Sequence, residues 1–502
     1  MEFGKHRRCG ILLHPTSLPG PHGIGCLGSE ARAFVDFLHE AGQSIWQVLP
    51  LGPTGYGDSP YASFSTFAGN PLLVDLDALV ADGVIEAEEL RDAPGSGPRV
   101  DFGAVTAFKL PLLVRAAERF GARAPIERRR EFEAFCADHG WWLEDFALFV
   151  ALRQANGYRP FNEWDAPLRH RDADALRRAR EELDAPMHAV RVQQFYFYSQ
   201  WLALRAYAHS RDVFVLGDIP IFVAYDSADV WAHPDLFKLD AELRPQAVAG
   251  VPPDYFSATG QLWGNPLYDW KRHQETGFAW WLDRMRLNLM MADVVRLDHF
   301  RGFEAAWEVP VGHTTAQHGT WVRGPGDAFF DAVRGRFGSL PLVAEDLGVI
   351  TDEVRALRDR HELPGMHILQ FGFSPWDERI YAPHAAVPNA VVYTGTHDND
   401  TTVGWFRNLQ HEERELVKAY LNTEGSDIHW AMIRAAYGTV ARTAIIPMQD
   451  ALGFGTEARM NVPGVAGASW NFRLTERPHE AVTHQLHHFA KLYERLPKPA
   501  KR

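Results

Sequence analysis

The stretch VVRLDHF (residues 294–300) places charged side chains directly after apolar ones. A short continuous apolar run is typical of a strand that is buried on both faces, as in a parallel sheet. Residues two apart on a strand point to the same face, so we expect Arg296 and Asp298 to lie side by side. A neighbouring guanidinium favours the ionised form of a carboxylate. An ionised Asp298 would suit a nucleophile or an electrostatic stabiliser of positive charge.

Seven further apolar runs end in polar residues in the same way. They are GILLHPTS (10–17), IWQVLPLGP (45–53), VFVLGDIPI (213–221), LVAEDLG (342–348), MHILQFGF (366–373), VVYTGTHD (391–398) and AIIPMQDALG (444–453). Helical patterns lie between several of these runs. The order predicts an α/β fold, a (β/α)8 TIM barrel, whose active site lies where the strands end. An open doubly wound sheet is the alternative, but it usually carries a glycine-rich phosphate turn, and neither GxGxxG nor GxxxxGK[ST] occurs in the sequence.

Two segments are too long to be simple loops of this barrel. Residues 54–210 contain long helical patterns and are predicted to form a mainly helical insertion whose last helix leads into the third strand. Residues 225–275 show little periodicity and much Gly, Pro and aromatic content, which predicts a lid loop over the active site. The barrel itself is then expected to comprise residues 1–53 and 211–502.

Composition excludes several classes of partner. The chain of 502 residues carries a formal charge of -13, which argues against nucleic acid and against an anionic membrane surface. Its three cysteines suit neither a disulfide framework nor a zinc site. No apolar run approaches the length of a membrane span or of a signal peptide core, so we expect a cytoplasmic protein. A neutral substrate fits an acidic surface best.

Acidic residues recur where the predicted strands end. They are Asp218, Asp298, Glu345 with Asp346, and Asp398. A pair of carboxyl groups held in opposite protonation states is the machinery of glycoside chemistry, and the apolar residues before Glu345 are expected to raise its pKa as a general acid requires. Two alternatives remain open: ion-paired charges at the barrel rim, and a site for a divalent metal ion.

In their order and in their amino-acid sequences, these segments resemble those of the α-amylase clan, and within it those of the 4-α-glucanotransferase family of amylomaltases and plant disproportionating enzymes. The matching words include GILLHPTSLPG, QVLPLGPTGYGDSPYASFSTFAGNP, GDIPIFVAYDSADVW, GVPPDYFSATGQLWGNPLYDW, RLDHFRGF, AEDLG and THDNDT, and they spread from residue 10 to beyond 470. The resemblance implies a retaining transferase that acts on maltooligosaccharides and on starch- or glycogen-derived α-1,4-glucans, with glucose as an acceptor. It implies no cofactor, no metal ion and no separate C-terminal β-domain.

The same resemblance implies a role for individual residues. Asp298 would be the nucleophile, Glu345 the general acid and base, and Asp398 the stabiliser of the transition state through the 2- and 3-hydroxyls of the sugar. Among the substrate-binding residues that the resemblance implies, Arg296 would fix and ionise Asp298, and His397 would contact the same sugar. Asp218 and Tyr61 match family positions around the sugar at the cleavage point.

A transferase must hold its acceptor and keep water away from the intermediate. We expect Tyr255, Trp263 and Gln261 of the lid to contribute to the acceptor side, and Tyr56 to line the donor side or a second glucan groove. Two other functions remain open on these residues, namely an α-amylase-like glucan hydrolase and a glucan-binding protein without catalysis.

Overall fold

The computed structural model describes residues 6–253, 258–376, 378–465, 467 and 469–497. In chain order its strands are β1 (Arg8–Leu12), β2 (Ile45–Gln47), β3 (Phe214–Pro220), β4 (Ala247–Val251), β5 (Gln261–Pro266), β6 (Val294–Asp298), β7 (Ala305–Pro310), β8 (Thr320–Arg323), β9 (Leu342–Ala344), β10 (Gly365–Ile368), β11 (Ala390–Tyr393) and β12 (Thr443–Pro447). Its α-helices are α1 (Ser29–Glu40), α2 (Leu76–Ala81), α3 (Phe102–Arg123), α4 (Ile126–Ala155), α5 (Ala166–Arg169), α6 (Ala173–Glu182), α7 (Asp184–Ser210), α8 (Ala228–Ala232), α9 (Trp270–Glu275), α10 (Ala279–Met291), α11 (Asp327–Phe337), α12 (Asp352–Arg360), α13 (Thr402–Asn408), α14 (His411–Leu421), α15 (Ile428–Gly438), α16 (Met448–Ala451) and α17 (Glu480–Leu492).

Eight parallel strands form a nearly closed barrel, as the sequence predicts. Their order is β10-β11-β12-β1-β2-β3-β6-β9. The backbone N–H of Ala344 on β9 donates to the carbonyl of Pro364, next to β10, at 2.9 Å and brings the two ends of the sheet together. Every barrel strand overlaps one of the eight apolar runs. The class α/β and the TIM barrel are therefore confirmed.

The strands are buried on both faces, which explains their continuous apolar sequences. Val294, Val295 and Leu297 of β6 are each at most 2% exposed. Close packing also explains a glycine: a Cβ atom on Gly10 of β1 would lie 2.3 Å from the carbonyl oxygen of Ile45 on β2, so no larger residue fits there.

Helices α2 to α7 lie between β2 and β3, and α7 leads directly into β3. Consecutive aromatic residues 195–198 of α7 are all buried, because one side packs on α3 and α4 and the other on the barrel. The helix therefore uses its aromatic rings for packing.

A second, four-stranded antiparallel sheet has the order β5-β4-β7-β8. Strands β4 and β5 fall in residues 225–275, where the sequence predicts an irregular loop. They pair with each other, β4 also pairs with β7, and β7 pairs with β8; both β7 and β8 come after β6, the fourth barrel strand. The short, glycine-containing strands AVAGV and QLWGNP lack the alternation that signals a strand, and the pairing with β7, far along the chain, supplies the order of β4. No helix among the described residues is long and apolar enough to cross a membrane.

Candidate active site

The carboxyl end of β6 carries Arg296 and Asp298 on one face, as strand alternation predicts. The guanidinium of Arg296 donates to Oδ1 of Asp298 at 2.8 Å. The side chain of Asp298 is 30% exposed, whereas that of Arg296 is 4% exposed. Arg296 is thus a buried hydrogen-bond donor to the accessible carboxylate of Asp298.

Arg296 is held in turn by Asp218 on the neighbouring strand β3. It donates to Oδ2 of Asp218 through Nε at 3.0 Å and through Nη2 at 2.8 Å. The hydroxyl of Tyr61 donates to the same oxygen at 2.7 Å. Burial alone would lower the pKa of Arg296, but Asp218, Tyr61 and Asp298 raise it well above its ordinary value. Arg296 therefore stays charged beside Asp298.

Asp218 itself does not reach the surface of the site. Its side chain has no exposed area, in contrast to that of Asp298. Burial raises the pKa of Asp218, and the contacts with Arg296 oppose that rise. The structure thus places Asp218 behind Arg296, where it orients the guanidinium and has no exposed area of its own.

Glu345 follows β9 and lies against the end of β6. Its backbone N–H donates to the carbonyl of Leu297, and its carbonyl accepts from the N–H of Phe300, at 3.0 and 3.1 Å. Its carboxylate accepts from the N–H of His299 at 2.7 Å and from that of Leu347 at 3.1 Å. Burial raises the pKa of Glu345 to about 8, and the charge of Asp298 contributes to the rise. Glu345 therefore retains a proton at neutral pH.

Asp398 follows β11, and its side chain is 47% exposed, more than those of Asp298 and Asp218. The side-chain amide of Asn461 donates to its Oδ1 at 2.6 Å, and Arg459 donates to its backbone carbonyl at 2.6 Å. Nε2 of His397 lies 3.4 Å from its Oδ2. The carboxylate is accessible and held in one orientation.

Three rings form a wall beside these acids. The ring of Tyr61 stacks on that of His397 with centroids 5.3 Å apart, and Trp470 packs on both at 5.6 and 5.9 Å. Burial lowers the pKa of His397, so its imidazole is neutral at pH 7. The wall joins segments that follow β2, β11 and β12.

The small sheet brings part of the predicted lid to the site. Trp263 on β5 is 38% exposed, and its indole meets the ring of His299 edge-on at 4.7 Å. Its Nε1 donates to the side-chain oxygen of Gln261 at 3.2 Å. Trp263 therefore lies beside His299, the residue that follows Asp298, and Gln261 lies next to Trp263. Tyr255 and the side chain of Tyr56 lie outside the described part of the chain.

Comparison with known proteins identifies the family. A family model described as 4-alpha-glucanotransferase matches residues 13–479. The chain belongs to the 4-alpha-glucanotransferase family. It is 51% identical over 476 residues to the 4-alpha-glucanotransferase of Thermus thermophilus, a match that covers 93% of this chain and 95% of that protein. It is 43% identical over 502 residues to the chloroplastic/amyloplastic 4-alpha-glucanotransferase of Arabidopsis thaliana, with 98% and 86% covered.

A solved structure agrees with this assignment. The amylomaltase of Streptococcus agalactiae, in complex with acarbose, superposes with a TM-score of 0.94 at 38% identity and covers 98% of this chain and 100% of that one. Membership of the 4-alpha-glucanotransferase family makes this chain an enzyme that transfers glucan segments. The family predicted from the sequence is therefore confirmed.

One strand-end acid of this glucanotransferase serves the fold. Oδ1 of Asp346 accepts from the N–H of Met366 at 2.8 Å, and its Oδ2 pairs with Arg358. The carboxylate therefore ties the segment after β9 to the start of β10, at the point where the barrel closes. The adjacent Glu345 points instead to the end of β6.

Four residues that contact the predicted site residues were not predicted from the sequence. They are His299, Arg459, Asn461 and Trp470. Only His299 is adjacent to a predicted site residue, while Asn461 reaches Asp398 across 63 positions of sequence. No local pattern marks such a partner. Within the described ranges, no group of three or more His, Cys, Asp or Glu side chains is placed to hold a metal ion.

Proposed function

We propose that the chain transfers glucan segments by a retaining double displacement in which Asp298 is the nucleophile and Glu345 the acid and base. The observation that carries the proposal is the contrast between two neighbouring carboxyl groups. Asp298 accepts a hydrogen bond from a guanidinium that stays charged, whereas Glu345 has a pKa raised to about 8. An ionised and a protonated carboxyl group are what the first step needs.

In the first half-reaction, an oxygen of Asp298 forms a bond to C1 of the donor sugar. The bond from C1 to the leaving 4-oxygen breaks, and Glu345 gives its proton to that oxygen. In the second half-reaction, the Glu345 carboxylate takes the proton from the 4-hydroxyl of an acceptor. That oxygen bonds to C1, and the bond to Asp298 breaks. Two inversions at C1 retain the α configuration.

We assign to Asp398 the 2- and 3-hydroxyls of the sugar that carries C1. Its side chain is 47% exposed, compared with 30% for Asp298, and Asn461 fixes its orientation. Hydrogen bonds to the 2-hydroxyl strengthen as positive charge develops on the ring. His397 and Tyr61 stack together beside it and would contact the same sugar.

The substrates are α-1,4-linked, namely maltooligosaccharides and the glucans of starch or glycogen, with glucose among the acceptors. Acarbose is bound by the Streptococcus agalactiae amylomaltase, whose fold this chain shares. We also propose a cytoplasmic location, where sparse cysteines that are unpaired, such as Cys9, Cys26 and Cys136, are ordinary.

We assign the acceptor side to the lid, residues 225–275, and regard residues 54–210 as an inserted helical subdomain. Trp263 offers a partly exposed ring next to the segment that follows Asp298, and Gln261 holds the edge of that ring. Sugars stack their C–H faces on such rings, and a held acceptor competes with water for the intermediate. Tyr255 and Tyr56 stay predictions for the acceptor side and for the donor side or a second groove.

Pure maltotriose tests the proposal. Transfer yields glucose and longer oligomers while the number of reducing ends stays constant, whereas hydrolysis raises that number. Asp298→Asn should reduce turnover by at least roughly 10³-fold, and calorimetry should show that the variant still binds glucan. A rise in reducing ends that matches glucose release would mark a hydrolase. Unchanged turnover of Asp298→Asn would refute the assigned nucleophile, and binding without wild-type turnover would leave only a glucan-binding protein.

A further inference from the structure

The segment His299–Arg301, directly after Asp298, lies between the two outer strands of the small sheet. On β5, at one edge, the indole of Trp263 meets the ring of His299. On β8, at the other edge, the indole of Trp321 lies against the guanidinium of Arg301, whose Cζ is 3.7 Å from the ring centroid. The sheet therefore contacts the chain immediately beyond the nucleophile from both sides.

Arg301 continues this connection to the acid and base. Its Nη1 donates to the carbonyl of Val349, in the segment that follows Glu345. Arg301 is only 5% exposed, so these contacts take the place of most of the water around its guanidinium. A buried guanidinium that lost its acceptor would pay a large desolvation penalty, and this resists separation of the two segments.

Among the described residues, the other hydrogen bonds between the segment 345–349 and residues 294–301 are all made by Glu345. Glu345 bonds through its backbone to Leu297 and Phe300. Leu347 donates its N–H back to the Glu345 carboxylate. The contact at Val349 therefore anchors the far end of the segment that sets the direction of the Glu345 side chain.

We propose that Arg301 is a positioning residue for Glu345: clasped between the indole of Trp321 and the carbonyl of Val349, it holds the segment 345–349 against the end of β6. The proposal rests on the function proposed for Glu345 above. Because the same residue packs on the small sheet, a shift of that sheet changes the setting of the acid and base. Arg301 touches neither carboxylate and acts through the backbone.

The test compares Arg301→Gln with wild type in maltotriose disproportionation. We expect kcat to fall roughly tenfold to hundredfold, as for a catalytic group displaced by about an ångström, with KM changed less than about threefold. The alkaline limb of the pH profile should also move to lower pH, because a loosened segment admits water to Glu345. The groups that face Glu345, namely Asp298, Arg296, Asp346 and Tyr381, are unchanged in this variant.

Arg171→Gln is the matched control. Arg171 also lies over an indole, that of Trp231 at 4.3 Å, and pairs with Asp145 at 2.9 Å, but among the described residues it forms no hydrogen bond or ion pair with the segment 345–349. It should lower Tm without moving the pH limb. The proposal is overturned if Arg301→Gln behaves in the same way, with a lowered Tm, an unmoved limb and unchanged kcat.

Two more variants keep the proposal testable if Arg301→Gln does not fold. Arg301→Lys keeps the charge but loses the planar fork, and Trp321→Ala removes a ring that is 37% exposed. Both should lower kcat and move the alkaline limb of the pH profile in the same direction as expected for Arg301→Gln, and an unmoved limb in both would overturn the proposal.

Glu345→Gln separates the proposal for Arg301 from the function proposed for Glu345. If that variant retains wild-type kcat, the proposed function fails; if it is inactive while the Arg301 and Trp321 variants match wild type, only the present proposal fails.

Discussion

Raising the pH from 7 to 9 should reduce kcat/KM for the donor roughly tenfold, because the proton on Glu345 is lost. With a pKa of about 8, Glu345 is protonated in about 90% of molecules at pH 7 and in about 10% at pH 9. A carboxyl group at the ordinary value of 4.5 would already be ionised at neutral pH. The structural cause is the burial of Glu345 and its closeness to Asp298, which outweigh the hydrogen bond from the N–H of His299.

The assay measures initial rates at low maltotriose concentration from pH 5 to 10, with circular dichroism to confirm that the protein stays folded. Maltosyl fluoride provides the control donor, since fluoride leaves with little help from an acid. Its rate should fall much less steeply above pH 8. A limb with its midpoint near pH 5, or equal limbs for the two donors, would show that Glu345 is not the general acid in the protonation state described.

Three other changes have defined outcomes. Trp263→Ala should raise the ratio of hydrolysis to transfer, measured as new reducing ends per glucose released, and an unchanged ratio would remove Trp263 from the acceptor side. Asn461→Ala should lower kcat roughly tenfold by freeing Asp398 to rotate, whereas Asn156→Ala, which removes an amide that donates to a carbonyl in the helical region, should leave kcat unchanged. Glu345→Gln should raise Tm relative to wild type at pH 9 but not at pH 4. Between about pH 4.5 and pH 8 the raised pKa keeps Glu345 protonated in the folded state, whereas it ionises in the unfolded state. The wild-type protein therefore loses stability as the pH rises through this range, and the variant with a neutral amide does not. Equal Tm differences between variant and wild type at both pH values would contradict this.

The barrel was predictable because its signal is local. A few consecutive apolar residues indicate a buried parallel strand, and each apolar run ends in polar side chains that meet at the same rim of the barrel. The side-by-side placement of Arg296 and Asp298 follows from the period of two along β6, and the structure has the two side chains 2.8 Å apart. The apolar residues that precede Glu345 on β9 predict its burial, and burial is the largest cause of its raised pKa.

The small sheet was not predictable in the same way. Strand β4 finds its partner β7 more than fifty positions later, and neither strand alone has a decisive pattern. The partners of Asp398 show the same difficulty, because Asn461 and Arg459 arrive from the chain after β12. Such contacts depend on how successive loops pack together above the barrel, and the periodicity of the sequence does not indicate how they pack.

By itself, the sequence determined the eight-stranded barrel, the acids at its rim and the family. The barrel and the acids follow from short local patterns, and the family follows from long segments of matching sequence. The tertiary structure alone decided the surroundings of each acid. It buried Asp218 behind Arg296, turned Asp346 to the barrel seam, left Asp298 and Asp398 accessible, and placed Glu345 where burial keeps its proton. The protonation and exposure of a carboxyl group depend on everything packed around it, and that environment exists only once distant segments have come together.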